Sequence, residues 1–134
     1  FHGRDLFAPL AAWIALNGLK GSLFAPARPL LLDEVLPVKE GPSLRGRVLH
    51  IDRFGNCVTS LFRADLPRQE PSGAMSIGLG TLTINGLSAT FADVIRGEAL
   101  ACIGSGGFLE ICVREGSAAE VLGIRAGDTV TVTR

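Results

Sequence analysis

The stretch RGRVLHIDRFGNCVTSLF, residues 45–62, places two runs rich in Val, Ile, Thr and Leu around a tight turn. RGRVLHID and NCVTSLF read as strands, and the Gly55–Asn56 pair between them tolerates the positive φ that a hairpin turn demands. Working outward, the same grammar recurs. GTLTING (80–86), ATFADV (89–94), EALACIG (98–104), GFLEICVR (107–114) and DTVTVTR (128–134) are further strands, punctuated by NG, RGE, SGG and AGD turns. One helix interrupts them, SAAEVLG (117–123), with Ser117 as N-cap and Gly123 as its stop. Short antiparallel strands closed by turns predict a mainly β fold, a small barrel or sandwich.

Upstream the pattern changes. Leu6, Leu10, Trp13, Ile14 and Asn17 recur at helical spacing and Gly18 suits a stop, which predicts a helix over 5–18. Pro9 fits only a first turn, so the helix proper is expected to begin near Phe7. Residues 19–44 hold four prolines and no period, and read as a linker between a leading helix (1–18) and a β domain (45–134).

Composition narrows the function. Of 134 residues, 47% are apolar and 19% charged, with zero formal net charge. Without a basic field there is nothing to hold a phosphate backbone, so nucleic acid is excluded as a partner. The longest apolar run, DLFAPLAAWIAL, is interrupted by Pro9 and is too short to span a bilayer, so no membrane partner is expected. The apolar surplus points to an interface with another subunit or domain. Cys57, Cys102 and Cys112 fit no CxxC spacing and sit among apolar neighbours; they are expected to be reduced core residues of a cytosolic protein.

Two loops carry candidate chemistry. In IDRFGN (51–56), Asp52, Phe54 and Asn56 offer a carboxylate for an ammonium group, an aromatic face for a ring and an amide for a purine edge. The same residues would serve an ordinary hairpin turn. In IGSGGFLEICVREGS (103–117), Gly104, Gly106 and Gly107 surround Ser105, so amides and a hydroxyl can approach a small anion, although a plain turn is the commoner reading. Glu110 points to the opposite face from Leu109 and Ile111, and the strand end at REGS exposes main-chain groups to a flat heterocycle. His2 is a third candidate. His50 has no polar company in VLHID and receives no role.

Three segments in order, FHGRDLFAPLAA (1–12), HIDRFGNCVTSL (50–61) and GSGGFLEICVREGSAAEVLGIRAGDTVTV (104–132), resemble the S-adenosyl-L-methionine (SAM) hydroxide adenosyltransferases, relatives of the SAM-dependent fluorinase and chlorinase. The resemblance implies a β-barrel C-terminal domain preceded by the last helix of an α/β N-terminal domain, with FHGRD as the loop carrying the active-site histidine and the chain cut just before it. It implies hydrolysis of SAM, as substrate, to adenosine and L-methionine without metal or redox cofactor, in a homotrimer with the site at the subunit interface. By position, Asp52 matches the acid holding the methionine ammonium. Phe54 and Asn56 match the adenine wall and the purine-reading amide. Ser105, with the amides of Gly106 and Gly107, matches the methionine carboxylate site. Main-chain groups of Val113 and Glu115 match positions on the adenine edge; Phe1 and Gly3 match the loop beside the ribose, and Phe91 and Glu110 are further members of the pocket. His2 matches the water-activating base, and His2-Gly3 stands where the halogenating relatives carry Tyr-Ser. Ser60 departs from the Asn common in the family. The competing readings are a non-catalytic barrel for binding or assembly and a SAM-dependent halogenase.

Overall fold

The computed structural model describes residues 1–19, 25–28, 35–67 and 75–134. The remaining parts of the expected linker, 20–24 and 29–34, lie outside the described residues. The chain divides into two units, Phe1–Leu31 and Leu32–Arg134.

In the first unit a π-helical turn, Gly3–Phe7, runs directly into α1, Ala8–Asn17. The α-helix proper begins where Pro9 led one to expect, at Ala8 after the N-cap Phe7, with the π turn added upstream. Proline has no N–H to donate back along a helix. Ahead of it, Asp5 N donates to Phe1 O at 2.9 Å, and the Ala8 N–H reaches Gly3 O, the i→i−5 bond of the π turn. Gly18 at φ 71° ends the helix. Leu6, Phe7, Leu10 and Leu16 remain exposed.

The second unit is an antiparallel sheet of eight strands: β1 Val38–Glu40, β2 Ser43–Ile51, β3 Cys57–Phe62, β4 Ser76–Leu79, β5 Leu82–Asn85, β6 Ala99–Ile103, β7 Phe108–Val113 and β8 Thr129–Thr133. Their order is β5-β4-β8-β2-β3-β7-β6, with β1 on β2. The curled sheet is a nearly closed barrel; Ser88 N donates to Ala101 O at 2.8 Å across the seam between β5 and β6. α2, Ala118–Leu122, follows β7, capped by Ser117 Oγ accepting from Glu120 N at 3.2 Å.

Alternation along the strands fills the barrel. Val48, Leu61, Ile77, Leu109, Ile111, Val130 and Val132 are all at most 2% exposed, each stabilising by about 1.5–3 kcal/mol through apolar burial. Ser60 is buried beside Gly46, and its Oγ accepts Arg47 N at 3.0 Å. The tight approach of β2 leaves little room there for a longer amide side chain.

Three expectations change. ATFADV is not a strand: Phe91–Asp93 form a 3-10 turn. Asp93 Oδ2 accepts Ala89 N and Thr90 N at 2.7 and 2.9 Å, and Thr90 Oγ1 accepts Ala92 N at 3.2 Å. These side chains satisfy backbone donors that a ladder would otherwise have used. Ser76–Leu79 is a strand the sequence reading passed over, paired with both β5 and β8. Val38–Glu40, within the expected linker, pairs with β2.

Candidate functional site

One end of the barrel holds a cavity of about 700 Å³ lined by Asp52, Phe54, Asn56, Phe91, Val113, Glu115 and Gly116. This size suits a small organic ligand. Three segments distant in sequence meet there: the β2–β3 hairpin, the 3-10 turn after β5, and the end of β7.

The hairpin is organised by its own acid. Asp52 Oδ1 accepts the amides of Phe54 and Asn56 at 2.8 and 2.9 Å, while Oδ2 accepts Asn56 Nδ2 at 3.1 Å. Burial pushes the Asp52 carboxyl up, but the hydrogen bonds from Asn56, Phe54 and Gly55 outweigh it and hold the group below its ordinary value. Asp52 thus has a structural task that the sequence reading treated only as the alternative, and its Oδ2 retains accepting capacity for a cation. Asn56 is oriented by the same bond, with its carbonyl oxygen left for a ligand donor. The exposed Phe54 ring carries the Arg53 guanidinium 4.6 Å from its centroid.

The opposite wall is equally constrained. Glu115, at φ 55°, is the one non-glycine residue with positive φ among the described residues, a conformation that costs about 1–2 kcal/mol and concentrates at functional sites. Its carboxylate pairs with Arg96 Nε at 3.0 Å. Arg114 Nη1 donates to Val94 O at 2.7 Å, and its backbone exchanges hydrogen bonds with Gly97 and Glu98. These contacts pin the 91–98 loop, and so Phe91, against the end of β7. Arg96, Arg114 and Gly116 were missed from sequence; Arg114 and Gly116 stand within REGS, and Arg96 in the RGE turn gave no signal.

The glycine-rich turn lies apart from the cavity lining. Ser105 and Gly106 are exposed, and Gly107, at φ 82°, donates its N–H to Gly104 O at 2.9 Å. The Gly107 amide closes the turn, and Ser105 and Gly106 are exposed beside it. Glu110 links the turn to the cavity end. Its carboxylate lies where a Gly104 Cβ would sit, and burial first, then the Asp52 charge, push its pKa up while His50 opposes them. His50 is thus not without polar company: the register aligns His50, Val58, Glu110 and Cys102 across four strands.

Phe1, His2 and Gly3 belong to the first unit. His2 precedes the π turn without a side-chain cap bond, its ring 6.4 Å from that of Phe7. A second cavity of about 720 Å³ between the β4–β5 turn and α2, lined by residues such as Leu79, Leu82, Val121 and Asp128, has no aromatic lining residue. Among the described residues no helix is long and apolar enough to cross a membrane.

The second unit is thus a small antiparallel barrel with a cavity of aromatic, amide and carboxylate groups at one end. The chain belongs to the SAM hydroxide adenosyltransferase family, whose C-terminal domain model matches residues 46–131. It is 41% identical to the (R)-S-adenosyl-L-methionine hydrolase of Thermus thermophilus over 129 residues, covering 95% of this chain and 46% of that relative. The enzyme of the same name from Salinispora tropica is 33% identical, with 99% and 50% covered. The chain thus spans about half the length of the curated relatives it matches. The crystal structure of an uncharacterized conserved protein from Thermotoga maritima superposes with TM-score 0.71 at 31% identity, covering all of this chain and 52% of the other.

Proposed function

We propose that this chain is the C-terminal, substrate-binding part of an enzyme that hydrolyses SAM to adenosine and L-methionine. The observation that supports it best is the shared cavity of Asp52, Phe54, Asn56, Phe91, Val113 and Glu115, assembled from three separate segments. Phe54 and Phe91 would flank the adenine, Asn56 and the main chain at Val113 and Glu115 would read its edge, and Asp52 with Glu110 would hold the methionine ammonium. Ser105 and Gly106 would receive its carboxylate.

The sulfonium makes C5′ electrophilic with a neutral thioether as leaving group. A water oxygen forms the new bond to C5′ in line with the breaking C–S bond, methionine leaves with the electron pair, and His2 takes the water proton. An Asp and an Arg of an N-terminal domain would support His2. We further propose a cytoplasmic homotrimer whose sites lie between the N-terminal domain of one subunit and the barrel of its neighbour, with SAM as substrate and no redox cofactor.

Titrating adenosine into the 134-residue chain tests the binding half. Saturable binding is expected. Phe91→Ala should weaken it about tenfold through lost stacking, and inosine, lacking the 6-amino donor, should bind more weakly than adenosine. Equal affinity for the two nucleosides, or none for either, would remove the reading. The same chain alone is expected to release no adenosine from SAM, as chromatography of the reaction would show; turnover near that of a full-length relative would mean that the catalytic assignment is wrong.

A further inference from the structure

The outward face of β6 and β7 carries a side-chain cluster that the proposed SAM site uses only at Glu110, for the methionine ammonium. Cys102 Sγ and Cys112 Sγ lie 3.9 Å apart. With a Glu110 carboxylate oxygen they form a set of three ligand atoms all within 4.8 Å of one another. Among the described residues, no other three His, Cys, Asp or Glu side chains converge so closely. Leu100 packs with the two sulfurs, and Val94 closes over them.

The register decides what the pair is suited for. Cys102 stands opposite Glu110, and Cys112 stands opposite Leu100. The two cysteines are therefore diagonal neighbours, a relation that separates Cα atoms by about 7–8 Å. That exceeds the roughly 4.4–6.8 Å a disulfide requires. A tetrahedral ion with metal–sulfur bonds of about 2.3 Å instead holds two thiolates about 3.8 Å apart. Glu110, two residues from Cys112 on the same strand face, supplies the third corner. The two thiols lie within hydrogen-bonding reach of each other, and either sulfur can be the donor. A cation between the sulfurs would replace that shared proton.

We propose that Cys102, Cys112 and Glu110 form a binding site for a thiophilic divalent cation, with zinc as the best match and water at the fourth corner. The site sits behind the cavity wall and takes no part in the hydrolytic steps above. Because it shares Glu110 with the proposed ammonium site, an occupying ion would compete for that carboxylate.

The test uses the full 134-residue chain, reduced and stripped with a chelator, titrated with Co²⁺ and then Zn²⁺. A thiolate-to-cobalt charge-transfer band that zinc displaces is expected, with about one ion per chain by elemental analysis. Cys112→Ser should abolish the band. Glu110→Gln should keep it but weaken affinity roughly tenfold or more, and circular dichroism checks that both variants fold. Zinc should also raise the melting temperature of the parent chain but not of Cys112→Ser. No band with excess cobalt, or a band that survives Cys112→Ser, would overturn the site. So would a pair that forms a disulfide under mild peroxide yet takes up no cobalt when reduced. Adenosine titration is a separate readout, so failure here leaves the nucleoside reading standing, and the reverse holds.

Discussion

Gly55→Ala is expected to destabilise the barrel by at least about 3 kcal/mol and to abolish adenosine binding. Two costs combine. Gly55 sits at φ 85°, where an L side chain is strained, and an added Cβ would lie 2.7 Å from Ser117 Cα and closer still to Ser117 Cβ and Oγ. The obstacle is the N-cap of α2, so it cannot swing aside as a flexible side chain could. The same glycine accepts the Ala119 N–H at 3.0 Å, which welds the hairpin to the helix. Shifting either one displaces Asn56 and the end of β7 together, and the cavity opens. Gly80→Ala is the control: φ is 58° with nothing within 4 Å, so only the backbone cost of about 1 kcal/mol applies. Urea unfolding of both variants separates the two terms. Equal losses would mean that the Ser117 contact carries no weight.

Asp52→Ala should cost about 2–3 kcal/mol at neutral pH, because the amides of Phe54 and Asn56 and the Asn56 side chain all lose their acceptor. The pH dependence has a definite sign. The folded pKa is depressed, so this stabilisation is present above the ordinary carboxyl range and is lost as pH falls through the folded value. The gap in unfolding midpoint between parent and variant should therefore shrink from about pH 7 to about pH 3. Adenosine affinity should drop at neutral pH as well, since Asn56 loses its orientation. A variant that binds weakly yet unfolds like the parent would show Asp52 to be a ligand group without the turn-building role.

The strands bounded by strong turn signals were legible. RGRVLHID and NCVTSLF flank Gly55 and Asn56, and their alternation decides which face meets the core. α2 announced itself by Ser117 and Gly123. What failed did so for local reasons. ATFADV has strand-like composition, but Thr90 and Asp93 occupy the backbone donors, and side-chain hydrogen bonding outcompetes the ladder. MSIGL is short and gained its strand by pairing with β5 and β8, partners that periodicity cannot see. Pro9 marked the helix start: it lies in the first turn of α1, whose N-cap is Phe7.

The site divides in the same way. Asp52, Phe54 and Asn56 lie within five residues, so a single hairpin brings them together and the sequence could place them as a group. Glu110 was legible as an outward side chain from the burial of Leu109 and Ile111 alone. That Phe91 faces that hairpin, that Arg96 and Arg114 clamp its loop, and that Cys102 meets Cys112 all depend on strand order and register. Local sequence determines turns, caps and the inward or outward sense of each residue, because these depend on interactions a few residues long. Which outward residues become neighbours was decided only when the sheet curled and set β7 between β3 and β6, a choice made by burial of the whole core.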